Sequence, residues 1–374
     1  MDFDFLIVGA GLAGCVFAER AATVLKKKVL IIDRKPHVAG NSYDYIDKNG
    51  IIIHKYGPHI FHTNNKIVWN YLSDFTDWHI YFHKVNAVVD GIEVPLPFNL
   101  NSIYKVFPNS LATRLEEKLI ENFGFNTKVS ILNLKKTDDK DLKFLYEYVY
   151  KKVFLEYTLK QWGVTPEDLD EKVTARIPVY ISRDDRYFQD KYQGIPSNGY
   201  TVMVEKMLEH KNIKVRLNTE FKELSKEITF KHIVFTGQMD EYFEFSHGQL
   251  PYRSLYFDSK EFNTEYYQEK AVTNYPENYD FTRITEYKHF LNTKSSSTTI
   301  AVEYPQAFVQ GENDPYYPIP NEENSKKYEL YSTEAKKHKE VTFIGRLAEY
   351  KYYNMDQIVE QALEVFNNKF AVEK

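Results

Sequence analysis

The sequence predicts an α/β fold in which a dinucleotide-binding domain is split along the chain, with a helical bundle and an antiparallel β-sheet domain inserted into it. Three observations carry this. A glycine-rich turn follows an apolar run at the N-terminus, in "DFLIVGAGLAG". Strand and helix patterns of the same kind return at 195–245 and 335–370. Between them lie a helical stretch at 100–175 and runs rich in β-branched and aromatic residues.

The first element is a short buried strand, since Phe5 to Val8 are all apolar. "GAGLAG" then places Gly9, Gly11 and Gly14 in the G-x-G-x-x-G pattern. Gly9 makes the tight turn. Gly11 lacks a Cβ, so a pyrophosphate can reach the backbone, and Gly14 lets helix and strand pack closely. A helix follows through "CVFAERAATVLKK", with Ala13, Phe17, Ala21 and Leu25 on one face. Its N-terminus turns free N–H groups and partial positive charge toward the phosphates. "KVLIID" is the second strand. It ends at Asp33, at the distance where a carboxylate binds the hydroxyls of an adenosine ribose.

Farther along, "SLATRLEEKLIENFG" predicts a helix with Ser110 as N-cap and Gly124 as its stop. "DKDLKFLYEYVYKKVFLEYTLKQWG" is a long aromatic helix ending at Gly163. "TPEDLDEK" opens on Thr165 as N-cap, Pro166 at N1 and Asp168 at N3. Residues 75–98, 176–194 and 250–330 form the sheet domain, and residues 1–65, 195–245 and 335–370 the dinucleotide domain. In the last segment Asn354 caps a final amphipathic helix and Asp356 lies in its first turn.

Composition narrows the function. Hydrophobic residues make up 43% of 374, enough for a large core and against wholesale disorder. A net charge of −5 gives no general electrostatic reason to bind nucleic acid. No apolar run approaches the ~20 residues that span a bilayer. Cys15 is the sole cysteine, which excludes intramolecular disulfides and thiolate metal clusters and fits a reducing cytoplasm. No metal-ligand spacing and no Ser-His-Asp order is present, so no metal is expected.

Several longer motifs go beyond the glycine turn. "RKPHVAGNSYD" after Asp33 is similar to the segment that runs beside FAD in flavoproteins related to glutathione reductase and amine oxidases, with Ala39 where Gly is usual. "GAGLAG", "YGPHIFHT", "YTLKQWG", "RIPVY", "RYFQDKYQGIPSNGY", "LPYRSL", "YYPIP" and "GRLAEYKYYNMDQ" follow in order. Together they resemble the bacterial UDP-galactopyranose mutase family. The resemblance implies a Rossmann-like FAD domain and a cofactor that is active when reduced. It implies interconversion of UDP-galactopyranose and UDP-galactofuranose, with flavin N5 as nucleophile at the anomeric carbon. It further implies a role in supplying UDP-galactofuranose for cell-surface glycans, an external flavin reductant such as NADPH, a homodimer and a cytoplasmic enzyme.

The resemblance also assigns residues. Arg176 and Arg283 grip the diphosphate, with guanidinium forks suited to phosphate oxygens. The polar stretch before Arg176 becomes a lid. Phe154, Tyr157, Thr158 and Trp162 take the uridine, and Tyr187, Asn274, Tyr317 and Tyr352 complete the substrate set. His62 joins the two arginines at the reaction centre and responds to flavin redox state. Gly9, Gly11, Leu12, Gly14, Asp33, Arg34, Gly40, Asn41, His59, Ile60, Phe221, Arg346, Tyr353, Asn354, Met355 and Asp356 hold the cofactor. Asn354 stands where many members carry Asp. Arg253 is divided evenly between a structural and a substrate role. Two other readings remain open: an oxidase of the amine-oxidase type with the same cofactor domain, and a non-catalytic nucleotide-sugar binder that keeps FAD as a structural piece.

Overall fold

The computed structural model describes residues 2–168, 178–224, 228–319 and 321–371. At its centre is a five-stranded parallel sheet in the order Ile213–Arg216, Val29–Ile32, Phe5–Val8, His232–Phe235 and Val341–Phe343. The three chain segments expected to form one domain therefore meet in one sheet. Its middle strand is the first in sequence, flanked on both sides and buried because it is apolar throughout. Helix Leu12–Thr23 packs on helices Met355–Phe366 and Tyr200–Leu208. Phe17 sits at the contact, edge-on to Phe5, Phe366 and Phe370 at 5.6, 5.6 and 5.3 Å.

Two glycines of the N-terminal turn are sterically obligatory. Gly9 has φ +106, and a Cβ there would lie 2.0 Å from Thr236 Oγ1. A Cβ on Gly14 would lie 2.1 Å from the Gly9 carbonyl oxygen. The second contact is the close helix–strand approach that the motif predicts. Thr236 closes the turn from the other side, donating to the Val8 carbonyl through both its N–H and its Oγ1, each at 2.9 Å.

The second layer is a seven-stranded sheet. Its order is Tyr317–Pro318, Tyr252–Phe262, Thr298–Ala307, Arg283–Glu286, Val272–Asn274, Val85–Val89 and Ile92–Leu96. It is antiparallel except where Val272–Asn274 runs parallel to Val85–Val89, so the expected antiparallel sheet carries one parallel pair. Residues 178–194 do not join it. Val179–Tyr180 pairs with Lys128–Val129, and Tyr192–Pro196 lies between Phe61–Thr63 and Trp78–Ile80 in a separate sheet. Aromatic stacking holds that small sheet: Trp69 lies 4.3 Å from Trp78 and 5.3 Å from Tyr192.

The helical region follows the sequence with two differences. The helix at 109 begins one step after Pro108, not at a Ser110 cap: Pro108 occupies the cap position with φ −56, and its carbonyl accepts from the Ala112 N–H. Gly124 ends that helix with φ +83. The long aromatic helix is Lys140–Val149, then a π-helical stretch Tyr150–Leu155, then Glu156–Trp162, closed by Gly163 in the left-handed region. At Thr165 the expected N-cap is replaced by a reverse contact: the Asp168 carboxylate accepts from the Thr165 N–H at 3.3 Å and hydroxyl at 2.6 Å, and the Asp168 N–H donates to the Thr165 carbonyl at 3.1 Å. Among the described residues no helix is long and apolar enough to cross a membrane.

The Gly14 contact gives a direct test. Gly14→Ala forces a methyl group into the Gly9 carbonyl and should cost about 1–3 kcal/mol, the usual range for overpacking a tight site. A lower urea midpoint and lower cofactor content on purification are expected. An unchanged midpoint would contradict the close approach.

Candidate active site

A cavity of about 730 Å³ opens at the carboxyl ends of the parallel strands. Gly9, Gly11, Leu12, Asp33, Arg34, Gly40, Asn41, His59, Phe221, Arg346 and Met355 line it. Its size falls in the range of small-molecule and cofactor sites. Helix Leu12–Thr23 has no side-chain cap, so its first N–H groups are left for a ligand at the cavity floor. Asp33 is held at the rim, accepting from the Ala10 N–H at 2.7 Å and the Lys35 N–H at 2.8 Å. Its oxygens keep lone pairs for ribose hydroxyls. A Cβ on Gly40 would come within 2.9 Å of Gly11 Cα, so this glycine lets the second loop sit on the first. Ala39 before it has φ +68, a conformation that glycine adopts at no steric cost.

The other five cofactor-site residues named from the sequence do not line this cavity. Gly14 packs behind the loop. Ile60 is buried core. The Tyr353 hydroxyl donates to Glu349 at 3.1 Å. Asn354 caps helix Met355–Phe366, and Gln357 Oε1 accepts from its N–H at 2.9 Å. Asp356 lies in the first turn of that helix; burial raises its carboxyl pKa, and its buried Oδ1 has no hydrogen-bond partner.

Other residues of this wall gain their place only through the fold. Asp314 and Tyr316 reach the cavity from the loop after the long sheet strand. Lys35 Nζ binds Asp314 and Asn41, each at 3.1 Å, and lies 4.0 Å over the Tyr56 ring. His59 Nδ1 is 2.7 Å from the Gly57 carbonyl, and burial pushes its imidazole down to about 3, so it is neutral at ordinary pH. His62 is not at the cavity surface. Its Nδ1 lies 3.0 Å from Asp190 Oδ2, and its ring stacks on Phe188 at 3.6 Å.

A second cluster adjoins the cavity. Arg283 lies opposite Asn274 in one strand pairing and opposite Glu303 in the other. Its Nε donates to Glu303 Oε1 at 2.9 Å, and Thr282 Oγ1 donates to the same oxygen at 2.8 Å. Burial is the largest single influence and works against the Arg283 charge, but Glu303 together with Tyr157, Tyr317 and Tyr187 outweighs it, and the guanidinium is held protonated. Among the described residues this is its one hydrogen bond, so both Nη groups remain as donors. Beside it the buried Asn274 Oδ1 has no partner. Tyr157, Tyr187 and Tyr317 lie within electrostatic reach of the same guanidinium.

Aromatic rings join this cluster to the cavity. Trp162 lies 5.9 Å from Tyr317 and 5.7 Å from Tyr352, which stack at 5.1 Å. The Arg346 guanidinium, at the cavity edge, stands 5.2 Å and 5.5 Å over those two tyrosines. It is held by the carbonyls of Tyr316 and Tyr353 at 3.2 and 2.7 Å. Phe154 and Thr158 are buried on the same helical run, Phe154 within its π-helical part. Arg253 donates to the Gln161 and Lys160 carbonyls, each at 3.0 Å, and so satisfies the end of that helix. Arg176 and most of the expected lid lie outside the described residues.

Comparison with known proteins agrees with this architecture. A family model described as UDP-galactopyranose mutase matches residues 152–352, and one for an NAD(P)-binding Rossmann-like domain matches residues 7–75. A probable UDP-galactopyranose mutase of Klebsiella pneumoniae is 37% identical over 96% of this chain and 93% of its own. A dTDP-fucopyranose mutase of Escherichia coli is 35% identical over 97% of this chain and 99% of its own. Among solved structures, a reduced UDP-galactopyranose mutase superposes with a TM-score of 0.72 at 14% identity, covering 100% of this chain and 94% of that one. A putative protoporphyrinogen oxidase from Exiguobacterium reaches 0.64 at 11% identity, covering 98% of each chain, a likeness of fold alone.

His83 offers a test of the electrostatics around Arg283. It is buried, and burial first and Arg283 second push its imidazole down from 6.5 to about 3. Below pH 6.5 the unfolded chain takes up a proton that the folded one refuses. Stability from this group is therefore complete above that pH and falls as the pH drops toward 3. One proton corresponds to about 1.4 kcal/mol per pH unit. Replacing His83 with Gln should flatten the dependence of unfolding free energy on pH between 6 and 4 by about that slope. Identical slopes would contradict it.

Proposed function

The chain belongs to the UDP-galactopyranose mutase family and is a nucleotide-sugar pyranose–furanose mutase; on that premise we propose that it interconverts UDP-galactopyranose and UDP-galactofuranose with reduced FAD in the 730 Å³ cavity. The observation that carries this reading is the Arg283 cluster. A partly buried, charged guanidinium whose Nη groups make no hydrogen bond among the described residues lies across the strand from an Asn274 oxygen equally without a described partner, and Arg346 links the cluster to the cavity. Such a site suits a ligand with a diphosphate at one end and a reacting carbon beside the cofactor.

The residues of the cavity fit FAD. The uncapped helix would take the pyrophosphate and Asp33 the ribose. Helix Met355–Phe366 starts at the cavity, and its positive end would favour negative charge on the reduced ring. When bound and reduced, the flavin supplies N5 as the nucleophile toward the anomeric carbon. The protein does the rest. Arg283, with Arg176, neutralises the diphosphate and stabilises it as a leaving group. Tyr187, Tyr317 and Tyr352 offer hydroxyl donors, while Tyr157, Phe154 and Trp162 flank the base. Crowded aromatic walls around Trp162 keep water from the reacting sugar.

A second substrate deserves direct comparison, because the Escherichia coli relative is a dTDP-fucopyranose mutase at nearly the same identity. The two substrates differ at the base methyl, the ribose 2′-hydroxyl and the sugar 6-hydroxyl. Anaerobic incubation of dithionite-reduced holoenzyme with each furanose form, followed by chromatography, tests both. The expected result is pyranose product from reduced enzyme only, with higher kcat/KM for the UDP-galactose pair. Oxygen consumption without isomerisation would support an oxidase instead. Arg283→Ala and Arg176→Ala should each lower kcat/KM by roughly 10- to 150-fold, the equivalent of one charge-assisted hydrogen bond.

A further inference from the structure

Asp190 has no role in the reading above, yet it is the hydrogen-bond partner of His62. Its Oδ2 lies 3.0 Å from His62 Nδ1, and its Oδ1 accepts from Asn64 Nδ2 at 2.7 Å. Asn64 Oδ1 in turn accepts from the Lys191 N–H at 2.9 Å. Strand pairing dictates this arrangement. Gln193 lies opposite His62 and Tyr192 opposite Thr63, so the turn that leads into this strand folds over the histidine. Phe188 from the same turn covers the imidazole face at 3.6 Å. The pair is mostly shielded, with His62 14% and Asp190 24% exposed at the side chain.

His62 stands between the two halves of the site. It lies within electrostatic reach of Asp356 at the start of the final helix and of His83, which in turn lies within reach of Arg283. Among the described residues its Nε2 makes no hydrogen bond. The geometry points to Asp190 as a positioning residue: it fixes the ring plane and tautomer of His62, which the family resemblance sets near the reaction centre, and it leaves Nε2 as the open edge. A carboxylate can only accept, so the nitrogen facing it must carry the proton. The neutral ring then offers an Nε2 lone pair, and Phe188 prevents it from turning over. Tyr187 lies on the same turn and within reach of Arg283, so one loop sets both the histidine and a substrate tyrosine. The proposal rests on the mutase reading for the reaction that it serves, not for the pair itself.

Asp190→Asn separates these. Asn64 already donates to one oxygen of residue 190, so the new amide would keep its oxygen there and turn its N–H₂ toward His62. The imidazole must then accept at Nδ1 and carry its proton on Nε2. ¹⁵N-histidine NMR of the oxidised holoenzyme, with the His62 signals identified by their absence in His62→Gln, reads the tautomer. The wild type should show a protonated Nδ1 and Asp190→Asn a protonated Nε2. For the reduced enzyme kcat should fall about 10- to 100-fold, the usual range for losing an outer partner of an active-site group, with KM nearly unchanged. Asp190→Glu keeps a carboxylate and should retain the Nδ1 proton and most of the turnover. The same tautomer in wild type and Asp190→Asn overturns the proposal, as does a switched tautomer with unchanged kcat, or an Asp190→Glu variant as impaired as Asp190→Asn. If the wild type proves not to be a mutase, the tautomer comparison alone decides it.

Discussion

The structure depends on how closely the first helix can approach the first strand. Without a side chain on Gly14 the helix comes to rest against the Gly9 carbonyl, and its N-terminus then faces the space beyond the strand ends. The same turn is closed by Thr236, more than two hundred residues away, through two bonds to one carbonyl. These contacts draw distant segments into one parallel sheet and define a crevice at its carboxyl edge, where open α/β sheets bind ligands. Both inserted regions leave the sheet at that edge, after Ile32 and after Phe235, and return to the amino ends of Ile213–Arg216 and Val341–Phe343. Their walls are therefore built against a cofactor site that the N-terminal turn has already set.

The substrate wall solves a different problem. A guanidinium partly buried beside tyrosines loses hydration that a single neutral partner could not replace. Glu303 faces it across the strand, is itself anchored by Thr282, and takes only Nε. The charge is thus retained while the two groups best shaped for phosphate oxygens stay free. Asn274 beside it keeps an unpartnered oxygen, a buried polar group whose cost is offset once a ligand donor arrives. Arg346 plays the complementary part at the cavity edge, with its own donors committed to backbone carbonyls and its face on two tyrosines. One arginine is thereby left to bind, and the other to hold the two halves together.

Local features of the sequence could be read directly. The glycine turn, Asp33 and the stops at Gly124 and Gly163 each depend on a few neighbouring residues. Arg283 and the site tyrosines were reached through motif resemblance, and strand register explains why they meet. What stayed hidden was non-local. Glu303 lies in an apolar strand run, where a lone carboxylate signals a buried charge but not its partner. Asp190 becomes visible only once Gln193 is paired with His62. The π-helical stretch has no local signature, because an ordinary helix fits "YKKVFL" equally well. Ser110 looked like a cap because hydroxyls favour that position, yet Pro108 starts the helix earlier by fixing its own φ.

On the proposed reading the nucleoside diphosphate is the part of the ligand that the protein grips, and the sugar is presented to the cofactor. Calorimetric titration of the holoenzyme with UDP, UDP-galactose and free galactose tests that division most directly. UDP should bind within about tenfold of UDP-galactose, because the charge-assisted contacts lie in the diphosphate, and galactose should give no measurable heat. Tight binding of galactose with little or none of UDP would contradict it.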